Sequence, residues 1–367
     1  MKVGIDAHAI GSRAGGNETY MRELLAALAE SNEDIEWVGL INPSETWSPG
    51  GRVAAQPLPQ TPSAIRVPIV LPWLARKHRF DLLHTQYAAP PWCPCPTVVS
   101  VHDIGWVRFP ELFPPLLRSR LALLTPGTLR RAARIFVLTD AIKREIADVY
   151  EVAEERMDVV APSVDPRFFA EASAEDMQRI RARYDLPEAF VLYVGALQPR
   201  KNLARLATAF AQLRDHGLPH ALVLTGKRAW LHSGMLEAIE SLQLRDRLRF
   251  TGYVDAEDLP TLIRAADAFA YVSLYEGFGL PALEALASGV PCVVSNDPAI
   301  AEVCGGAAIS CDPLDLDDME RALVSALTDD PLRQRLHRAG PTQAARFTRA
   351  SMAAAAVQGY REALRGH

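Results

Sequence analysis

Two glutamates that flank a glycine turn are the residues of this chain best suited to chemistry. Glu276 and Glu284 lie on either side of Gly277-Phe278-Gly279-Leu280-Pro281, which follows the apolar stretch Ala268–Leu274. The stretch predicts a buried strand, and a proline suits the first turn of the next helix because its missing N–H costs nothing there. A glycine turn at a helix N-terminus directs free N–H groups and the positive end of the helix dipole at one place. The segment therefore predicts an anion site with a carboxylate on each side.

The same turn allows a second interpretation. Gly277–Ala282 matches the G-x-G-x-x-A form of the dinucleotide fingerprint, and Asp297 follows where a ribose-binding acid is expected. A proline inside this fingerprint is unusual, and the interpretation leaves both glutamates without a role. A lone G-x-G-x-x-A is weak evidence, whereas two glutamates around a Gly-x-Gly-Leu-Pro turn form a more specific pattern.

Two adjacent cations follow another predicted strand. Phe190–Val194 is apolar, and the loop after it brings Arg200 and Lys201 directly before a predicted helix. Acidic residues are absent from their sequence neighbourhood, so the two cations suit a diphosphate leaving group whose charge must be stabilised. Ordinary surface cations are the simpler alternative.

The first half of the chain offers a histidine and a pair of glycines. His102 follows the apolar strand Thr97–Val101, so it projects from the carboxyl end of a strand, where ligands bind in open α/β sheets. A lone histidine is more often structural, but this position favours a ligand-facing role. Gly15 and Gly16 precede a predicted helix and would let backbone approach a ligand closely, although a plain tight turn explains them equally well.

Alternating strands and helices must position these loops, and the alternation predicts parallel sheets covered by helices on both faces. The predicted strands are Lys2–Asp6, Ile35–Ile41, Leu82–Thr85, Thr97–Val101, Arg134–Leu138, Met157–Val160, Phe190–Val194, His220–Thr225, Leu248–Thr251, Ala268–Val272, Pro291–Ser295 and Ala308–Cys311. The clearest predicted helices are Asn17–Ala29, Pro115–Ala133, Asp140–Val149, Asn202–Asp215, Trp230–Leu242, Ala256–Ala265 and Leu316–Thr328. The strands divide into two doubly wound domains, with a break near Pro166–Ala174 and the ligand site expected in the cleft between them.

Composition limits the classes of function. A chain of 367 residues is long enough for two domains, and its 49% hydrophobic and 23% charged residues are typical of a globular protein. A formal charge of −5 gives no broad electrostatic reason to bind nucleic acid. Five scattered cysteines and the absence of a long apolar run predict a cytoplasmic protein without a leader or membrane span.

The motifs together resemble the retaining GT-B glycosyltransferases of family 4, in loop detail the bacterial mannosyl- and rhamnosyltransferase-like members. The matching landmarks, in order, are Gly15-Gly16, Val101-His102-Asp103, Val160–Asp165, Gly195–Asn202, Thr251–Val254 and Glu276–Glu284. The resemblance implies a fold of two Rossmann-like, doubly wound domains that face each other across a cleft. Residues 1–168 would form the acceptor domain and residues 169–346 the nucleotide-sugar donor domain, with the final helix, 347–367, crossing back onto the first.

The resemblance also implies roles for individual residues. Catalytic contacts are implied for His102 with the transferred sugar, for Arg200 and Lys201 with the diphosphate, and for Glu276 with sugar hydroxyls. The donor-binding residues implied in addition are Gly15, Gly16, Tyr253, Val254, Phe278, Gly279, Leu280 and Glu284. Among these, Glu284 would accept hydrogen bonds from the ribose, and Tyr253 and Val254 would lie along the nucleobase. Many relatives have an arginine directly after Gly195, whereas this chain has Ala196, so Arg200 is expected to supply that charge.

The implied reaction is sugar transfer from a nucleotide diphosphate with retention at the anomeric carbon. The cations and a helix dipole would serve the phosphate, so no metal ion or other cofactor is expected. GDP-mannose is the first expectation for the donor and a UDP-sugar the second. The acceptor would be a glycan, a lipid-linked saccharide or a small molecule.

Two matters stay open at this level. The basic, leucine-rich helix after Pro115 predicts either peripheral contact with the inner face of a membrane or an amphipathic surface helix with its leucines in the core. Two further functional classes also fit part of the pattern. One is an NAD-dependent oxidoreductase that uses Gly277–Ala282, and the other is a catalytically silent nucleotide-sugar binding protein.

Overall fold

Strands and helices alternate along the chain, and the structure, a computed structural model, describes residues 1–12, 15–43, 45, 47, 50–227, 233–242, 244 and 247–366. The described strands are β1 (Lys2–Asp6), β2 (Glu36–Ile41), β3 (Val53–Pro57), β4 (Leu82–Gln86), β5 (Thr97–Ser100), β6 (Arg134–Val137), β7 (Met157–Val159), β8 (Phe190–Val194), β9 (Ala221–Thr225), β10 (Leu248–Gly252), β11 (Ala268–Tyr271), β12 (Cys292–Ser295) and β13 (Ile309–Cys311). The described helices are α1 (Gly16–Glu30), α2 (Ser63–Ile65), α3 (Leu71–His78), α4 (Gly105–Arg108), α5 (Pro115–Arg131), α6 (Asp140–Tyr150), α7 (Ala174–Arg183), α8 (Leu203–Gln212), α9 (Ser233–Ser241), α10 (Leu259–Arg264), α11 (Leu280–Ala287), α12 (Pro298–Cys304), α13 (Leu316–Thr328), α14 (Asp330–Ala344) and α15 (Arg349–Arg365). The predicted helix Trp230–Leu242 begins on residues outside the described ranges, and its described part is α9.

The chain divides into two compact units. The first consists of Met1–Pro110, Pro115–Ser163 and Phe347–His367, and the second consists of Glu111–Pro114 and Val164–Arg346. Each unit contains one of the two described sheets, and every strand pairing in both sheets is parallel. The prediction of two parallel α/β sheets is confirmed.

The sheet of the first unit has the strand order β3-β2-β1-β4-β5-β6-β7. Its central strand β1 places Val3 opposite Trp37 on one side and Leu82 on the other, and all three side chains are fully buried. The sequence analysis missed the edge strand β3, which pairs with β2 alone. The reason is its composition: Val53 is its one buried residue, so it lacks the apolar run of the central strands.

The last helix, α15, packs within the first unit. Tyr360 and Val357 are buried on its inner face. At its N-terminal end Arg349 donates to both carboxylate oxygens of Glu23 on α1, at 3.0 and 3.1 Å. The hydroxyl of Ser163 donates to the same carboxylate at 2.7 Å. These contacts join the end of the chain to the first helix of this unit.

The leucines at positions 116–124 of helix α5 are not buried as they would be in an amphipathic helix. Leu116 is 84% exposed and Leu123 79% exposed, while the buried residues of α5 are Thr125, Thr128 and Leu129. The interpretation that places these leucines in the core is therefore wrong. Among the described helices of the chain, none is long and apolar enough to cross a membrane.

The sheet of the second unit has the order β10-β9-β8-β11-β12-β13. The sequence order reverses between β8 and β11, which are direct neighbours. Ligands of open α/β sheets bind beyond the carboxyl ends of the strands at such a reversal point. The loops after β8 and β11 are the ones that carry the cation pair and the first glutamate, so the topology itself brings these side chains together.

Candidate functional site

The conformation of the loop after β8 depends on one glycine and one asparagine. Gly195 has φ +153°, and a Cβ there would lie 2.6 Å from the hydroxyl of Tyr193, so this position requires glycine. A 3₁₀ turn over Pro199–Lys201 follows. The side chain of Asn202 then donates to the carbonyl oxygens of Val272, at 3.1 Å, and Pro313, at 2.7 Å. The loop is therefore fixed to the segment that follows β11.

Lys201, Arg200 and Glu276 form one buried ionic cluster. The ammonium of Lys201 donates to a carboxylate oxygen of Glu276 and, at 2.7 Å, to the hydroxyl of Tyr271. The guanidinium of Arg200 donates to the other carboxylate oxygen at 3.2 Å and to the carbonyl of Tyr275 at 2.6 Å. Lys201 is 7% exposed and Glu276 6%. The structure thus assembles three predicted site residues, two of them 75 positions or more away from the third in sequence.

The two cations control the ionisation of Glu276. Burial alone would raise its pKa, but Arg200 and then Lys201 outweigh burial and hold the pKa of Glu276 at about 2. The neighbouring acid behaves oppositely. Burial, with a smaller contribution from the charge of Glu276, raises the pKa of Asp297 to about 6.

Asp297 caps helix α12, which does not favour the dinucleotide interpretation of this acid. One carboxylate oxygen accepts the backbone N–H groups of Ala299 and Ile300 at 3.0 and 3.1 Å. The other accepts the N–H of Glu276 at 3.4 Å. With both oxygens engaged by backbone, the side chain orders the Glu276 loop instead of presenting a free carboxylate to a ribose.

The glycine turn begins helix α11 as predicted from the sequence. Gly279 is the N-terminal capping residue with φ +88°, and a Cβ there would lie 2.3 Å from Cδ1 of Ile300. Phe278 is buried before it, and Leu280, half-buried, is the first residue of the helix. Glu284 lies one turn further along α11 and is 8% exposed. Glu276 therefore lies before the N-terminus of α11, where the helix dipole favours anions, and Glu284 lies in the middle of the same helix.

The segment after β10 forms a different surface of the second unit. Val254 is buried, whereas Tyr253 is half-exposed. The ammonium of Lys227 lies 5.3 Å from the centroid of the Tyr253 ring, within the range of a cation–π contact. A half-exposed aromatic ring of this kind offers a stacking surface.

In the first unit, His102 follows β5 and is 5% exposed. Its Nδ1 lies 2.9 Å from Oδ1 of Asn17, and its ring lies 4.5 Å from that of Tyr20 and 5.3 Å from that of Tyr87. Burial lowers the pKa of His102 to about 3, so the imidazole is neutral at physiological pH. Trp106 is buried beside Tyr87 and packs against this loop.

Gly15 and Gly16 begin helix α1 on the exposed side of the first unit. Gly15 is the N-terminal capping residue with φ +63°, and a Cβ at either position would meet no atom of the described residues within 4 Å. The turn therefore needs a glycine at position 15 for its backbone conformation. The sequence analysis identified this loop but missed Asn17, which no motif marks and only the fold places against His102.

The fold and two family matches together place the chain in a class, the two-domain Rossmann-like glycosyltransferases. The sucrose-phosphate synthase of Thermosynechococcus elongatus has the same fold, with a TM-score of 0.79 at 22% identity over 100% of both chains. Residues 14–168 match the family described as Glycosyltransferase Family 4, and residues 176–343 match Glycosyl transferases group 1. The chain belongs to glycosyltransferase family 4, and the predicted GT-B fold and family are confirmed.

Relatives with a known activity include bacterial mannosyltransferases. The O-antigen chain mannosyltransferase B of Escherichia coli is 32% identical over 253 residues, which are 68% of this chain and 66% of that protein. The serotype-specific mannosyltransferase WbdA of Escherichia coli is 32% identical over 235 residues, 63% of this chain. The alignment spans only 29% of WbdA, so this chain matches less than a third of that relative's length.

Proposed function

We propose that the protein transfers a mannosyl group from GDP-mannose to a glycan, a lipid-linked saccharide or a small-molecule acceptor, with retention at the anomeric carbon. Two relatives at 32% identity are named as mannosyltransferases, which favours this sugar over others. A UDP-sugar is the second candidate donor.

The buried cluster of Arg200, Lys201 and Glu276 is the observation that carries the proposal. A diphosphate leaving group brings several negative charges, and desolvated cations next to a helix N-terminus stabilise such charge strongly. Glu276 contacts both cations and fixes their positions. In the proposed complex the same carboxylate accepts hydrogen bonds from sugar hydroxyls, the backbone of Phe278–Leu280 contacts sugar and phosphate, and Glu284 accepts from the ribose.

The proposed reaction proceeds on one face of the sugar. The bond from the anomeric carbon to the phosphate oxygen breaks, the bond to the acceptor hydroxyl oxygen forms on the same face, and a phosphate oxygen takes the acceptor proton. A double displacement would need a carboxylate free to attack the anomeric carbon, whereas Glu276 is tied to two cations. The chain's own cations and the dipole of α11 supply the charge stabilisation, so the proposed reaction requires no metal ion.

Nucleotide binding gives the first test. The full chain is heated with GDP, UDP, dTDP or ADP, and a ligand at one hundred times its dissociation constant stabilises a protein by about 2.7 kcal/mol. We expect the largest increase in melting temperature with GDP. A largest increase with UDP supports the second donor, and no increase with any of the four contradicts the proposed function.

Transfer assays with matched variants give the second test. Lys201→Met keeps most of the side-chain volume but removes the charge, and we expect kcat to fall by about 10²–10³. Lys143→Met, on helix α6 of the first unit, is the control and should leave kcat unchanged. Normal turnover by Lys201→Met would remove this residue from the site. Donor binding without turnover on any acceptor would favour a silent binding protein.

Peripheral membrane contact is also part of the proposed function, and a separate group of exposed apolar residues supports it. Ile65, Ile69 and Trp73 recur every fourth residue along the helical run 63–78 and are 46%, 62% and 53% exposed. Lys77 lies 4.8 Å from the Trp73 ring, and Arg120 on α5 donates to Ser63. Exposed tryptophan and aliphatic side chains next to cations suit the surface of an anionic bilayer.

Vesicle sedimentation tests this contact. The protein should sediment with vesicles that contain anionic lipid, and the double variant Ile69→Ser/Trp73→Ala should sediment much less. The location proposed from it is the inner face of the cytoplasmic membrane. Equal sedimentation of both proteins, or no sedimentation of either, would contradict the proposed contact.

A further inference from the structure

The side chain of Asn17 lies within hydrogen-bond distance of the imidazole of His102. Its Nδ1 lies 2.9 Å from Oδ1 of Asn17. An amide oxygen only accepts hydrogen bonds, so Nδ1 must carry the proton and donate. In a neutral imidazole the other nitrogen, Nε2, then bears a lone pair and accepts.

The ring of His102 has little freedom to turn away from this arrangement. Tyr20 packs edge-on against it, with 4.5 Å between the ring centroids, and Tyr87 covers it at 5.3 Å. The hydroxyl of Tyr20 lies 3.1 Å from Oγ of Ser100, which in turn lies 2.8 Å from Nε2 of His84. This buried chain fixes Tyr20, and Tyr20 in turn fixes the imidazole.

The second nitrogen of His102 is buried and unused. Nε2 has no hydrogen-bond partner among the described residues. A buried acceptor without a donor costs free energy, and a ligand that donates a hydrogen bond to Nε2 would remove this cost. A sugar hydroxyl is such a donor.

We infer that Asn17 fixes His102 as the Nδ1–H tautomer, so that Nε2 accepts a hydrogen bond from a hydroxyl of the transferred sugar. Asn17 is then a positioning residue for sugar recognition. The family resemblance implies that His102 contacts the hydroxymethyl side of the transferred sugar, so we assign the contact to the hydroxyl there, and this assignment rests on the proposed function. The tautomer itself is a property of the protein without substrate.

Nitrogen NMR of histidine side chains tests the tautomer directly. The full chain is labelled with ¹⁵N histidine, and the His102 signals are assigned from their loss in His102→Gln. We expect a protonated Nδ1 and an unprotonated Nε2 in the wild type and in Asn17→Asp, whose carboxylate also accepts. Asn17→Leu, of similar size, removes the acceptor and should shift the population towards Nε2–H. A protonated Nε2 in the wild type, or an unchanged tautomer in Asn17→Leu, would overturn the inference.

A comparison of two donors tests the role of Nε2. GDP-6-deoxymannose lacks the assigned hydroxyl, so the wild type should use it about tenfold less efficiently in kcat/KM than GDP-mannose, as expected for one neutral hydrogen bond. Asn17→Asp should keep this preference and Asn17→Leu should lose it. Equal preference in the wild type and Asn17→Leu would overturn the inference. If the NMR result holds and no sugar donor is used at all, the proposed function fails while the tautomer assignment stands.

Discussion

Replacement of Glu276 by glutamine should destabilise the second unit strongly at neutral pH. Glutamine has nearly the shape of the protonated acid but cannot become an anion. In the wild type the ionised carboxylate contacts both Lys201 and Arg200. All three side chains are largely shielded from solvent: the exposed fraction of the side chain is 7% for Glu276, 8% for Lys201 and 14% for Arg200. The substitution therefore leaves two buried cations without their shared counter-ion.

The size of the effect follows from the pKa of Glu276. It falls from an ordinary value of 4.5 to about 2, and at about 1.4 kcal/mol for each pH unit this corresponds to about 3 kcal/mol at pH 7. Removal of one partner from a buried ion pair costs about 3–5 kcal/mol, which agrees. For a domain of about 150–250 residues the melting temperature should drop by roughly 6–12 °C.

The dependence on pH has a defined direction. Because the folded-state pKa is lowered, the stabilisation is fully present above the unfolded-state value of 4.5 and is lost as the pH falls through about 2. The difference in unfolding free energy between the wild type and Glu276→Gln should stay constant from pH 7 to 5 and fall to about half, roughly 1.4 kcal/mol, at pH 3.

Urea unfolding followed by circular dichroism at pH 7, 5 and 3 measures this difference. The control is Glu257→Gln, an exposed carboxylate in the same unit, which should differ little from the wild type at any of the three values. A Glu276→Gln variant as stable as the wild type at pH 7 would refute the account of the cluster. So would a difference that does not change between pH 5 and pH 3.

Three further predictions concern the surroundings of the site and the end of the chain. Gly279→Ala should destabilise the protein by about 1–3 kcal/mol because of its φ of +88° and the contact of the new Cβ with Ile300. The additional substitution Ile300→Val removes the overlapping Cδ1 atom and should restore part of the lost stability in a thermal melt. No restoration would contradict the predicted overlap. Asp297→Asn keeps an oxygen that can cap α12 but removes the charge. Because the folded-state pKa of Asp297 is raised to about 6, the wild type loses stability as the pH rises from 4 to 7, and the variant should gain about 2 kcal/mol relative to it. A relative gain on acidification would contradict this direction. Arg349→Ala should lower the free energy of unfolding in urea by about 2 kcal/mol, because Ser163 is then the remaining donor to the Glu23 carboxylate among the contacts described above. The control is Arg321→Ala, at an exposed residue of α13, which should leave the free energy of unfolding almost unchanged.

The strands were predictable where burial made them apolar on both faces. β8 and β1 match their predicted bounds, because helices cover both sides of a parallel sheet and leave an uninterrupted apolar run. β3 was missed since an edge strand with one buried residue carries no such signal. The prediction that the leucines of α5 lie in the core failed for a different reason. Leucine is often buried, but the presence of a leucine in the sequence does not show that another element covers it.

The site residues were predictable as types but not as partners. Lys201 and Glu276 stand out because each follows a strand at its carboxyl end, and the reversal between β8 and β11 then makes them neighbours. The sequence does not show that the Glu276 carboxylate contacts both cations, because this contact depends on side-chain rotamers and burial. Asn17 was unpredictable for the same reason, since an asparagine in the first turn of a helix is ordinary and its contact with His102 spans 85 positions.

The low pKa of Glu276 bears directly on the chemistry proposed for the site. A carboxylate with a pKa of about 2 is a weak base and a weak nucleophile, since both properties fall with the affinity for a proton. The charges that make Lys201 and Arg200 suitable for a diphosphate are the same charges that suppress the basicity of Glu276. An arrangement of this kind favours a reaction in which the leaving phosphate, and not the protein, takes the acceptor proton. The electrostatics of the ionic cluster therefore support the single-face mechanism proposed above.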